Sequence, residues 1–138
     1  MSDDCIFCKI ITGDIPSFKL YEDAMTLAFM DINPVHDGHA LVIPKEHSPN
    51  LFTVSADALA ATASTAQKIA SAVNRTLEPD GMNLLQCNGE AAAQSVFHFH
   101  MHVLPRKAGD GVPLNWELKP GNMDEIAALA ERIRGNLE

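Results

Sequence analysis

The stretch Val96-Phe97-His98-Phe99-His100-Met101-His102-Val103-Leu104 constrains the fold more than any other. On a helix, residues two apart scatter around the axis, whereas on a strand they line one face. A strand over Val96 to Leu104 therefore sets His98, His100 and His102 in a row, about 6.6–7 Å apart. Phe97, Phe99, Met101 and Val103 then face the other way, into a core. A slip of one residue would bury all three imidazoles, so the apolar set dictates the register.

Two chemistries suit such a row, besides three incidental surface histidines. One is a three-histidine catalytic zinc site, since His-x-His on a strand can chelate one metal. Another is covalent phosphate chemistry. An imidazole with a pKa near ~6.5 is largely neutral at pH 7 and is a competent nucleophile. Its neighbours can donate hydrogen bonds to phosphate oxygens.

The surrounding chain predicts an α+β domain. Short strands are expected at Lys19 to Tyr21, Thr26 to Met30, Ala40 to Ile43 and Met82 to Cys87, linked by turn-length segments such as Asp31-Ile32-Asn33-Pro34. Cys5 to Ile11 is a short apolar run closed by the turn signal Thr12-Gly13-Asp14-Ile15-Pro16. A helix is expected over Ser55 to Leu77, with Leu59, Thr62, Ala66, Ile69, Val73 and Leu77 on its inner face. A second is expected over about Met123 to Leu137, capped by Asn122 and Glu125, with Ile126, Leu129, Ala130, Ile133 and Leu137 inward. Two main helices and about five strands favour a mainly antiparallel sheet over a βαβ repeat. The 138 residues fit one domain.

Charge removes some partners. Eighteen acidic against 10 basic residues give a net charge of -8, which disfavours long nucleic acid but leaves room for a single nucleotide. No stretch approaches the ~20 apolar residues of a membrane helix. The start Met1-Ser2-Asp3-Asp4 lacks the layout of a signal peptide, so a cytoplasmic location is expected. Three cysteines, two of them in Cys5-Ile6-Phe7-Cys8, point to metal or redox use rather than a disulfide framework. A structural zinc needs four ligands, usually Cys and His. His47 and His98 are better further candidates than Cys87, whose strand neighbours suggest ordinary burial.

His98-Phe99-His100-Met101-His102-Val103-Leu104 resembles the His-φ-His-φ-His-φ-φ signature (φ being apolar) of the histidine triad (HIT) nucleotide-binding proteins. Gln94-Ser95-Val96 and Asn88 resemble the branch of nucleoside phosphoramidate hydrolases. Ala28 to Pro34 and His39 to His47 are similar to two other recurring segments of the family. The resemblance covers about residues 5 to 106.

The resemblance implies a hydrolase or transferase, adenosine phosphoramidase-like, that cleaves purine nucleotide conjugates at the α-phosphorus. His100 would be the nucleophile that is transiently nucleotidylated. His102 would hydrogen-bond the phosphate, and His39 would belong to the histidine network. Ser95 would sit near the leaving group, Gln94 near the bridging atom, and Asn88 near phosphate or ribose. Asp31 would accept from the ribose hydroxyls, which suits a carboxylate facing a vicinal diol. Phe7, Phe29 and Ile32 would flank the purine. A structural zinc would be held by Cys5, Cys8, His47 and His98. Relatives pair as homodimers, and the chemistry requires no Mg²⁺ in principle.

Two departures stand out. Ala93 precedes Gln94 where relatives commonly place a glycine. Gly109 to Trp116 differs from the short tail of the phosphoramidate hydrolases. Rival functions are a dinucleoside polyphosphate hydrolase of the same family, a metal-dependent hydrolase using all three strand histidines, and a non-catalytic nucleotide-binding module.

Overall fold

Alternation of side chains explains how the sheet is covered. In a computed structural model that describes residues 4–138, strands β1 (Lys19–Glu22), β2 (Thr26–Met30), β3 (Ala40–Pro44), β4 (Gly81–Leu85) and β5 (Met101–Arg106) form one sheet. The order is β1-β2-β3-β5-β4, and every neighbouring pair is antiparallel. Met1 to Asp3, the start of the acidic terminus considered above, lie outside the described residues. Helices α1 (Ile6–Thr12), α2 (Ala56–Leu77) and α3 (Met123–Arg134) complete the α+β fold.

Leu27, Phe29, Leu41 and Ile43 point to one face of β2 and β3, where they pack with Cys5, Phe7 and Cys8 around α1. Ala28, Ala40 and Val42 point to the other, where they meet Ala66 and Ile69 of α2 and Val103 of β5. Both faces of β3 are thus covered, and all five of its residues are buried. Each large aliphatic side chain removed from water here stabilises by about 1.5–3 kcal/mol. The small Ala28, Ala40 and Ala66 let α2 lie close to the sheet.

The register carries the histidines to the α1 face. His102 pairs with Leu41, Met101 with Val42, and Val103 with Ala40. Directly opposed residues share a face, so His102 sits on the α1 side while Met101 and Val103 face α2. The expected alternation holds over these residues. The strand is shorter than expected, however. It starts at Met101 rather than Val96, and Phe97 is 48% exposed instead of facing the core. The cause is Pro44, which ends β3 and has no N–H to donate. Its carbonyl is taken by the His98 ring (Nε2 to O, 2.8 Å), not by a backbone partner.

Three helical details also differ. Cys5 to Ile11 holds a helix, because Cys5 Sγ accepts from Cys8 N–H at 3.4 Å as N-cap and Gly13 closes it at φ 86°. Sulfur is a weak acceptor, so such a cap gives little sequence signal. The buried face of α2 is Ala58, Thr62, Thr65, Ala66 and Ile69, with Leu59 and Leu77 partly exposed. Its rotation brings Thr65 Oγ1 to 2.8 Å from Thr26 Oγ1. Helix α3 ends at Arg134, and Ile126, Leu129 and Ile133 stay half-exposed because no described element covers them.

Gly38 fixes the approach to the site. Its φ is 90°, and a Cβ there would collide with Leu77 Cδ1 and lie 3.0 Å from Pro105 Cγ. Only glycine lets the chain pass this close to α2 and β5 before His39.

Candidate active site

Hydrogen bonds assign the tautomer of each buried imidazole. His100 Nδ1 lies 2.6 Å from the His98 carbonyl oxygen, which can only accept. Nδ1 therefore carries the proton, and Nε2 keeps a free lone pair. Val35 N–H donates to His39 Nδ1 at 3.1 Å, so neutral His39 is protonated at Nε2. That proton faces His102 Nδ1 at 2.8 Å. His102 Nδ1 accepts, and its Nε2–H remains as a donor. The chain of donors runs from a backbone amide through His39 to His102.

Burial keeps these rings neutral. Desolvation lowers His39 against the nearby Asp31 charge, and lowers His100 against its bond to the His98 carbonyl. His102 is pushed down to about 4, by desolvation first and then by the neighbouring His100 and His39. A buried neutral imidazole is a base and nucleophile at neutral pH.

A cavity of about 360 Å³ opens on these groups. His39, His100, His102, Asp31 and Ser95 line its polar end, and Phe7, Phe29, Leu41 and Ile32 are among its apolar walls. Asp31 is 3.4 Å from His39 Nε2 through Oδ2, while Oδ1 accepts the Asn33 N–H at 2.8 Å. It thus serves the turn and the pocket together. Ile6 and Ile10 also line the cavity, and were not singled out in the sequence. Their spacing of four on the apolar run was the available signal.

Two expected site residues lie outside this wall. Gln94 is 3% exposed, yet its carboxamide accepts from Gly89 N–H at 2.8 Å and donates to the Pro49 and Val96 carbonyls at 2.6 and 3.1 Å. Asn88 Oδ1 accepts from Leu51 N–H at 2.8 Å, and its Nδ2 donates to Gln86 at 2.7 Å. Both amides tie the 86–96 segment to the segment after His47. Ala93 adopts φ 68°, the left-handed conformation that suits glycine. Replacing Ala93 by glycine is expected to raise stability by about 0.5–1 kcal/mol in urea unfolding, the relief of strain exceeding the entropy cost.

The Cys5, Cys8, His47 and His98 ligand atoms all lie within 4.8 Å of one another. Cys5 Sγ is 3.4 Å from His98 Nδ1, and Cys8 Sγ is 3.4 Å from His47 Nδ1 and 3.6 Å from His98 Nδ1. The two Nδ1 atoms are 3.1 Å apart. A tetrahedral zinc separates S from N by about 3.5 Å and N from N by about 3.3 Å. His98 donates Nε2–H to the Pro44 carbonyl, so its Nδ1 presents a lone pair to the cluster. Two cysteine sulfurs and two imidazole nitrogens supply the donor set of a structural Zn²⁺ site as well as its spacing. Asp31, His39 and His102 form a second group of ligand type. Its nitrogens are 2.8 Å apart, the length of a hydrogen bond, and it is a relay rather than a metal cage.

The segment after β5 is fastened by Arg106. Its guanidinium meets Asp110 at 2.8 and 2.9 Å, Asn83 at 2.8 Å and Asn115 at 2.9 Å. A shallow groove of about 780 Å³ beside it contains no histidine or cysteine among its lining residues.

Known proteins resemble this chain in sequence and fold. "Protein hit" of Bacillus subtilis (strain 168) is 45% identical over 139 residues, covering 96% of each chain. The adenosine 5'-monophosphoramidase hnt1 of Schizosaccharomyces pombe is 42% identical over 135 residues, covering 97% of this chain and 98% of that one. A HIT family protein from Bacillus anthracis superposes with a TM-score of 0.91 at 40% identity, covering 100% of both chains. A Zn-bound histidine triad family protein from Mycobacterium smegmatis superposes with a TM-score of 0.74 at 38% identity, covering 96% of this chain and 98% of that one. The family described as HIT domain matches residues 12–109, a span that holds the whole relay from Asp31 to His102. With its histidines split between the cavity and a Cys/His cluster, this chain belongs to the HIT domain family.

Proposed function

We propose that the protein hydrolyses purine nucleoside phosphoramidates or related nucleotide conjugates at the α-phosphorus, through a covalent nucleotidyl-histidine. One observation carries the reading: His100 Nδ1 is held by the His98 carbonyl, which leaves Nε2 free at the cavity. In the first step Nε2 forms a bond to phosphorus, and the bond from phosphorus to the leaving nitrogen breaks. The departing amine takes a proton from solvent by way of the exposed Ser95 hydroxyl at the cavity mouth. Water then attacks phosphorus, loses its proton to solvent, releases the nucleoside monophosphate and restores His100. His102 Nε2–H donates to the charge that develops on the phosphate oxygens. This scheme calls on no Mg²⁺.

Asp31 accepts from the ribose hydroxyls, and Phe29, Ile32 and Phe7 bound the base. Gln94 and Asn88 serve the phosphate by holding the backbone before Ser95. Cys5, Cys8, His47 and His98 hold a structural zinc, which fixes the start of α1 and the residue whose carbonyl orients His100. The names of the hnt1 relative and of the Zn-bound neighbour support the activity and the metal respectively.

The protein acts as one domain over residues 1–138 and as a cytoplasmic homodimer, for which the uncovered apolar face of α3 is a supporting observation. No described helix is long and apolar enough to cross a membrane.

Turnover assays with adenosine phosphoramidate and with diadenosine polyphosphates test the substrate class. The reading predicts faster cleavage of the phosphoramidate. Preference for the polyphosphate assigns the rival hydrolase activity, and nucleotide binding without turnover of either assigns a binding module.

The pH profile follows from burial. Protonation of Nε2 removes the nucleophile, and desolvation lowers the His100 pKa from its ordinary value. The acid limb of kcat/KM is expected below about pH 6.5, the unperturbed imidazole value. A limb at or above that value contradicts the assignment of a buried neutral nucleophile.

A further inference from the structure

We propose that Phe7 is a positioning residue for the nucleophile, beyond its place in the cavity wall. The inference rests on the role given to His100 above. Phe7 is 5% exposed and His100 4%, so most of the aromatic ring faces protein rather than the cavity. It packs instead on the imidazole, with ring centroids 5.1 Å apart and planes at 89°. The same ring contacts Phe29 at 5.5 Å and His98 at 5.9 Å, both at 72°. Phe7 is thus wedged between β2 and two members of the histidine triad.

The nucleophile needs such a wedge. Its hydrogen bond to the His98 carbonyl fixes one edge of the imidazole. The tilted His102 ring lies 4.9 Å away on another side. A half-turn of the imidazole about its bond to Cβ would put a carbon where Nε2 must meet phosphorus. A perpendicular ring in van der Waals contact blocks that turn and holds the plane. Phe7 is itself held by sequence and fold. It lies between Cys5 and Cys8 on α1, and only Phe7 and Cys8 of that helix are buried. Its place is therefore set before any nucleotide arrives.

The test uses the full chain carrying Phe7→Ala, with Phe7→Leu as a variant that keeps most of the volume. Three quantities are read: kcat on adenosine phosphoramidate, the affinity and stoichiometry of AMP by calorimetry, and the downfield imidazole N–H resonances by NMR. His100 Nδ1–H is assigned by its loss in His100→Ala. His98 Nε2–H, bonded to Pro44, is the internal control.

The expected result is a fall in kcat of about 10–100-fold, the scale for a misplaced reacting group. The fall in kcat exceeds any loss of AMP affinity, the stoichiometry is unchanged, the His100 resonance broadens, and the His98 resonance persists. Phe7→Leu recovers part of the rate. Weakened AMP binding with kcat unchanged makes Phe7 a base wall alone and overturns the proposal. Loss of both resonances together makes it a general core residue and also overturns it. Absence of turnover by the unaltered protein would instead contradict the proposed function itself.

Discussion

His100→Ala is expected to abolish turnover of adenosine phosphoramidate, lowering kcat by at least about 10⁴-fold while AMP still binds. The loss is large because no other group can replace the attacking atom. His102 Nδ1 is occupied as an acceptor by His39 at 2.8 Å, and its Nε2 carries a proton. His39 has Nδ1 occupied by the Val35 amide. His98 turns Nε2 to Pro44 and Nδ1 to the cysteines. Among the described histidines, only His100 combines a free nitrogen with a place at the cavity. Binding survives because the apolar walls and Asp31 are untouched. Steady-state kinetics with calorimetry of AMP checks this. Residual activity above about 1% of the unaltered rate would move the nucleophile elsewhere.

The second large effect is on stability. Removing the zinc proposed at the Cys5, Cys8, His47 and His98 cluster, or making Cys8→Ser, is expected to cost at least about 3 kcal/mol, with a fall in Tm of roughly 10 °C. Cys8 is 2% exposed and faces both His47 and His98. The change leaves the proposed zinc site one ligand short, and α1 then loses that anchor to the sheet. The cost is below the binding energy of a zinc-finger peptide, because β2, β3 and α2 keep their own core. Metal analysis of the purified protein followed by calorimetric unfolding, with and without chelator, reads both numbers. A metal-free protein whose Tm is unmoved by chelator would refute a structural zinc.

Much of this site was legible because its parts are local. The period of two places His102 opposite in sense to Met101 and Val103, and the structure keeps that sense. The Cys5-x-x-Cys8 spacing gave half of a cluster whose other half, His47 and His98, the fold brings within 4.8 Å. Non-local features were not legible. Phe97 was assigned to the core by alternation, yet strand pairing stops where Pro44 ends β3. Gln94 and Asn88 spend their amides on Pro49 and Leu51, 45 and 37 residues away. The tautomers depend on the Val35 amide and the Pro44 and His98 carbonyls, which no side-chain pattern announces. Periodicity finds the apolar face of α3 but turns it inward, whereas Ile126, Leu129 and Ile133 stay half-exposed and Leu137 exposed, because periodicity does not say what covers a face.

If one imidazole nitrogen bonds to phosphorus, mass spectrometry of protein quenched rapidly after mixing with adenosine phosphoramidate detects the bond. A nucleotidyl adduct that maps to His100 and is missing from His100→Ala is expected. An adduct on any other residue, or full turnover with no adduct at the earliest times, would contradict it.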